Sequence, residues 1–109
     1  MKIKVIIKQP REAIGREVWI VRSNHSIEKI LGGKYQIDTI ANGSDTIVLL
    51  FAENAEVKHL PVNFKVETME RRDWVYGPAI ICGLVDGNLV SIPFDLPTWD
   101  RLLRRWGNG

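Results

Sequence analysis

Two pairs of apolar, β-branched segments joined by short turn sequences constrain the fold more than any other feature of this chain. The turns are Asn42-Gly43 and Asp86-Gly87. The flanking segments are residues 35–41 and 46–52 for the first turn, and 79–85 and 89–92 for the second. Asn-Gly and Asp-Gly favour tight hairpin turns because both residues tolerate positive φ. The sequence therefore predicts two antiparallel hairpins as the basis of a sheet.

Two further strands are predicted before the first hairpin. Residues 2–8 alternate between β-branched residues and lysines, with Ile6 as the exception, which is typical of a half-buried strand near a sheet edge. Residues 17–22 are apolar on both faces, so we expect a more central strand in which Trp19 covers a second buried face. The pattern in residues 53–72 is weaker and does not distinguish between strand and loop.

Two helices complete the prediction. The first begins within residues 23–26, whose side chains suit a helix cap, and ends at Gly32-Gly33 after about two turns. The second begins near Asp95 and ends at Gly107. Its apolar stripe has helical spacing and consists of Leu96, Trp99, Leu102, Leu103 and Trp106.

These elements predict one α+β domain over residues 1–109. We expect a mostly antiparallel sheet of five to six strands, a short helix after the second strand and a C-terminal amphipathic helix packed on the sheet. A chain of 109 residues has room for one domain, and 45% hydrophobic against 26% charged residues is ordinary globular composition.

Several functional classes are disfavoured by composition. Cys82 is the only cysteine, so neither an intrachain disulfide nor a multi-cysteine metal site is expected, and no cofactor is indicated. Lysines interrupt the N-terminal apolar residues, unlike a signal peptide, and no segment has the length of a membrane helix. We therefore expect a cytoplasmic protein without membrane association.

No catalytic constellation is visible in the sequence. His25 and His59 lie 34 positions apart without a His-x3-His spacing, and no serine occurs in a Gly-x-Ser-x-Gly motif. The carboxylates are scattered along the chain. An enzyme is accordingly the last of four functional hypotheses.

The segment around Trp74 is the best candidate for partner binding. Aromatic and arginine side chains dominate binding hot spots, and Trp74 lies beside Arg71, Arg72 and Tyr76 in a polar, exposed segment. The far side of the last helix carries a basic stripe of Arg101, Arg104 and Arg105. If the two groups fold together, they form a cationic patch for an acidic protein or a nucleic acid.

A phosphate-binding alternative rests on glycines next to basic residues. Backbone amides of glycine-rich turns hold phosphates when their N–H groups are free. The candidate residues are Arg22, Gly32, Gly33, Lys34 and Gly77. Because a helix precedes Gly32 and a strand follows it, the opposite of a phosphate-binding loop, a helix C-cap is the stronger interpretation.

Three stretches carry a resemblance to a known family. They are Ile30-Leu31-Gly32-Gly33-Lys34-Tyr35, Leu60-Pro61-Val62-Asn63 and Gly77-Pro78-Ala79-Ile80-Ile81-Cys82-Gly83. Their succession resembles a domain-of-unknown-function family of short proteins from phages, plasmids and their bacterial hosts. The segment 9–16 and the tryptophan-rich last helix depart from that pattern. The resemblance implies an accessory protein of a mobile element and transfers no catalytic residue.

The preferred hypothesis is a non-enzymatic accessory protein that binds a host protein and inhibits a defence system. A module that sequesters a small molecule or nucleotide is second, and weak nucleic-acid binding through the arginines is third. A homodimer through a sheet edge or the last helix is also compatible with the pattern.

Overall fold

The computed structural model describes all 109 residues as a central antiparallel sheet covered on both faces. The elements are β1 (Lys2–Lys8), β2 (Arg16–Val21), α1 (Asn24–Leu31), β3 (Tyr35–Asn42), β4 (Thr46–Ala52), β5 (Val62–Glu67), β6 (Arg72–Tyr76), β7 (Ala79–Val85), β8 (Asn88–Val90) and α2 (Leu96–Arg105). The predicted α+β class, with its six-stranded antiparallel sheet and C-terminal helix, is confirmed. Neither helix combines the length and apolarity needed to span a membrane.

The strand order of the main sheet differs from the prediction at one edge. The order is β2-β1-β7-β4-β3, and β8 pairs with β7. β2, which we expected near the centre, is an edge strand, and β1 lies inside the sheet. Trp19 and Val21 of β2 are 62% and 45% exposed, so the expected second buried face is absent. The core covers only one face of β2, the face that carries Ile20, and Trp19 and Val21 lie on the other face.

One face of the sheet packs against α1. Ser23 caps this helix by accepting a hydrogen bond from the amide of Ser26, and Gly32 ends it in the left-handed conformation, as predicted. Ile27 and Leu31 are buried against the strands. The helix crosses the sheet between its two edge strands.

The opposite face is covered by α2 and by a hairpin of β5 and β6. Trp99 of α2 is fully buried, and its ring packs edge-on against Phe64 of β5 at 5.5 Å and Trp106 at 5.7 Å. Its indole N–H donates to the carbonyl oxygen of Ile14 at 2.9 Å. The region left open by the sequence thus contains the strand β5, while residues 53–59 form turns. This hairpin is a separate two-stranded sheet.

The thiol of Cys82 is expected to be unreactive in the folded protein. Cys82 of β7 is fully buried on the face of the sheet that α1 covers, and burial raises its pKa to about 12. Since only the thiolate attacks disulfide reagents, the native protein should not react with such a reagent at pH 8, whereas the denatured protein should react with one equivalent. Rapid labelling of the native protein would contradict the buried position of this residue.

Candidate partner-binding site

The outer face of the β5–β6 hairpin exposes an aromatic surface. Inner residues such as Phe64 and Val75 are buried, whereas Trp74, on the opposite face of β6, is 48% exposed. Val62 is 50% exposed and pairs with Tyr76, and Val57 in the preceding turn is 75% exposed. We call Val57, Val62, Trp74 and Tyr76 the hairpin surface. Exposed aromatic residues on a rigid strand lose little entropy when they are buried by a partner.

A hollow of about 230 Å³ lies beside the hairpin surface. Trp74, Tyr76 and Val57 line it together with Glu56 and Asp73. Two carboxylates and three aromatic rings, those of Phe51, Trp74 and Tyr76, thus border one depression. This chemistry suits an apolar side chain that carries, or lies beside, a positive charge.

Arg71 forms part of the lining of the hollow and is fixed by the main sheet. Its side chain is only 12% exposed, and its guanidinium is bonded to Asp38 of β3. The same group lies over the ring of Phe51, 4.9 Å from the ring centroid. Its Nε lies 2.6 Å from an oxygen of Asp73 without hydrogen-bond alignment, so this second contact is an ion pair. Arg71 therefore anchors the hairpin to the sheet instead of presenting a free charge.

The hairpin turn is formed without glycine. The hydroxyl of Thr68 accepts hydrogen bonds from the amides of Glu70 and Arg71, and the amide of Thr68 donates to the carbonyl of Arg71. A threonine side chain that replaces backbone partners is a known way to close a turn. This closure places Arg71 immediately before β6, with its guanidinium against Asp38 and Phe51 of the main sheet.

The structure brings together three of the seven residues that the sequence selected for partner binding. Arg71, Trp74 and Tyr76 border one hollow, and Arg72 is exposed as the first residue of β6. The expectation that both arginines are exposed is wrong for Arg71, because Asp38, Asp73 and Phe51 enclose it.

The arginines of α2 lie apart from this hollow. Arg101, Arg104 and Arg105 are all exposed, as expected for an outward stripe. Arg104 is paired with Asp100 at 3.3 Å, and Arg101 donates to the hydroxyl of Thr98. None of the three lines the hollow beside Trp74. Arg105 instead borders another hollow, together with Glu67 and Thr68 of the β5–β6 hairpin.

The residues of the phosphate-binding alternative are not assembled into one site. The amides of Gly32 and Gly33 both donate to the carbonyl of Glu28, and the amide of Gly77 donates to the carbonyl of Pro61. These N–H groups are therefore unavailable to a phosphate in this conformation. Arg22 donates to the carbonyl of Leu89, and Lys34 lies in a shallow hollow with Glu28 and Glu53.

The two histidines lie in different parts of the surface. His25 is exposed in α1, and His59 is exposed in the turn before β5. No group of three histidine, cysteine or carboxylate side chains is arranged to hold a metal ion.

Two of the stretches that carry the family resemblance meet at Asn63. The side-chain nitrogen of Asn63, Nδ2, donates to the backbone carbonyl oxygens of Lys8 and Gly77, each at 2.8 Å. Its side-chain oxygen, Oδ1, accepts a hydrogen bond from the ammonium of Lys8 at 2.8 Å. Gly77 has a φ of 75°, and a Cβ there would lie 2.8 Å from a methyl carbon of Leu60. Leu60-Pro61-Val62-Asn63 and Gly77-Pro78 thus form one structural unit. The sequence singled out this motif without identifying the role of Asn63.

A comparison with family models gives the family. The model described as "Domain of unknown function (DUF3846)" matches residues 1–106. The chain belongs to this family. The predicted membership of a domain-of-unknown-function family is thereby confirmed. No curated protein and no solved structure shows a significant match to the chain. The DUF3846 description assigns no activity, so the function is argued from the surface itself.

Proposed function

We propose that this member of the DUF3846 family is a non-enzymatic binding protein that docks another protein on its hairpin surface. The observation that supports docking is the half-exposed indole of Trp74, held on a paired strand at the border of a hollow. Arg71, the residue before this strand, contacts Asp38 and Phe51 and so attaches the strand to the main sheet. A rigid aromatic residue beside a depression has the properties of a binding hot spot.

The charges around the hollow indicate the kind of partner. Glu56 and Asp73 contribute two negative charges, and Arg71 is already paired with Asp38 and Asp73. An acidic protein or nucleic acid would meet repulsion there. The complementary partner is a protein that presents an apolar side chain next to a lysine or arginine.

We further propose that the partner is a defence component of a bacterial host and that the protein serves a phage or another mobile element. The support is the succession of short motifs seen in the sequence. The small size of the chain and the separate positions of His25 and His59 on the surface agree with a binding role. A stoichiometric inhibitor of this kind needs a docking surface and no catalytic group.

Trp74→Ala is expected to abolish partner capture. Truncation of a hot-spot tryptophan costs about 2 kcal/mol or more, which is roughly a thirty-fold loss of affinity. The tagged wild type, Trp74→Ala and the control Trp19→Ala should be compared on the lysate of a bacterium that carries defence systems. Trp19 is a matched control because it is 62% exposed and lies on the distant edge strand β2.

The expected result is a host protein retained by the wild type and by Trp19→Ala but lost with Trp74→Ala. Equal retention by both variants would contradict docking at the hairpin surface. The inhibitory role is tested separately by phage plating on a host with an active defence system. Expression of the wild type should raise plating efficiency, Trp74→Ala should not, and no effect of the wild type would contradict the role.

The nucleotide-binding alternative receives less support from the geometry. Its glycine amides are already bonded within the chain, and two carboxylates lie beside Lys34. Weak nucleic-acid binding would use Arg72 and Arg105, which are exposed.

A further inference from the structure

Lys8 is the only charged residue among the 28 buried residues of the chain, and it is 3% exposed. It is the last residue of β1, and its Nζ lies over the ring of Phe64, 5.6 Å from the centroid. None of the six ion pairs of the protein includes it. A buried ammonium without a counter-ion is costly, which makes its retention informative.

The ammonium of Lys8 has unused hydrogen-bonding capacity. An ammonium has three donors, and one donates to the side-chain oxygen of Asn63. Asn63 is itself held by the carbonyls of Lys8 and Gly77, so the ammonium is held by a rigid acceptor. Two donors remain without a protein acceptor.

Lys8 borders a hollow with a volume of about 520 Å³. Such a volume lies within the range of about 300–1,000 Å³ that is typical of small-molecule sites. Phe64, Ile14 and Pro10 provide apolar wall, and Asn63 lies beside Lys8. The hollow shares no lining residue with the one beside Trp74.

The other charged side chains that line this hollow each have a partner of opposite charge. Glu12 accepts two hydrogen bonds from Arg16, at 3.0 and 3.1 Å, and Asp100 is paired with Arg104 at 3.3 Å. Lys8 therefore contributes the uncompensated charge. Desolvation lowers the pKa of Lys8, and the nearby Glu12 carboxylate partly opposes that effect. A bound anion would relieve the cost of the buried charge.

We propose that the hollow at Lys8 binds a small organic anion, with the carboxylate or phosphate group on the ammonium of Lys8 and the apolar part against Ile14 and Pro10. Asn63 acts as a positioning residue by holding the ammonium. This site is independent of the hairpin surface and needs no protein partner.

The test is an NMR titration of the full chain with three aromatic probes. Benzoate and phenyl phosphate carry the two oxyanions, and benzamide is the uncharged analogue of benzoate. At least one oxyanion should shift the amide signals of Lys8 and the side-chain amide signals of Asn63, with a dissociation constant below about 1 mM. Benzamide should leave them unchanged, and the stronger of the two anions identifies the ligand class.

Lys8→Met and the control Lys2→Met should be titrated in the same way. Lys2 is exposed at the other end of β1. Because a hydrogen bond to a charged group is lost, the affinity of Lys8→Met for the anion should be at least ten-fold weaker than that of the wild type. The affinity of Lys2→Met should be unchanged. If Lys8→Met unfolds, the comparison of benzoate with benzamide on the wild type still tests whether binding requires the negative charge. Absence of shifts with both anions, equal shifts with benzamide, or unchanged binding by folded Lys8→Met would overturn the proposal.

Discussion

Trp99→Ala is expected to lower the free energy of unfolding by about 3–5 kcal/mol, the usual range for truncating a buried tryptophan. The ring is fully buried and contacts both Phe64 and Trp106. Its indole N–H also satisfies the carbonyl of Ile14. The substitution thus loosens α2, the β5–β6 hairpin and the connection between β1 and β2 together. Since small domains have stabilities of about 5–15 kcal/mol, most of the margin would be lost.

Urea unfolding followed by circular dichroism measures this effect. Trp99→Phe keeps an aromatic ring but loses the bond to Ile14, so its loss should be smaller than that of Trp99→Ala. Trp19→Ala is the matched control, because its ring is mostly exposed, and it should change stability by no more than about 0.5 kcal/mol. A similar loss for Trp19→Ala and Trp99→Ala would contradict the described core.

Asn63→Ala is expected to cost about 3 kcal/mol, which is large for a polar residue. The substitution leaves the carbonyls of Lys8 and Gly77 without this donor and removes the only side-chain acceptor of the Lys8 ammonium. The hairpin is then held less firmly to β1 and to the turn before β7. Asn88→Ala is the matched control, since exposed Asn88 has one weak bond to Asp86 at 3.3 Å.

A double variant separates the two contributions of Asn63. If much of the loss comes from the stranded ammonium, Lys8→Met should recover part of it in the Asn63→Ala background. The measurement is again the free energy of unfolding for the two single variants and the double variant. Additive effects would show that Lys8 and Asn63 are not coupled, against the geometry described above.

The sequence predicted the hairpins well because local turn chemistry determines them. Asp86 and Gly87 have φ of 51° and 77°, as an Asp-Gly turn requires. β3 and β4 are also paired as predicted, but the turn between them lies at residues 43–45 without positive φ at Asn42 or Gly43. The pattern therefore identified the hairpin and not its turn type.

The β5–β6 hairpin escaped prediction for a physical reason. Its turn has no glycine, proline or asparagine, and the hydroxyl of Thr68 supplies the closing hydrogen bonds instead. Trp74 was selected as a candidate binding residue, and the strand that contains it, β6, was not predicted. The burial of Arg71 depends on Asp38, a residue 33 positions away, and no local pattern reports such a contact.

The site at Lys8 was missed because alternation assigned all N-terminal lysines to a solvent face. Ile6 interrupts that face, and this exception was the available signal. Ile6 packs against the core formed by α2 and the hairpin, and Lys8 lies over Phe64 in the same layer. The prediction placed β1 near the edge and β2 near the centre, the reverse of the observed order, for the same reason. The layer that covers β1 consists of α2 and the β5–β6 hairpin, which are distant in the sequence.

Site-specific photo-cross-linking tests most directly whether the protein acts through its hairpin surface. A photoreactive phenylalanine analogue replaces Tyr76 in one sample and Trp19 in another, and both are irradiated in the host lysate. We expect a covalent adduct with one host protein from position 76 and none from position 19. An adduct from position 19 alone, or none from either position, would contradict the proposed docking surface.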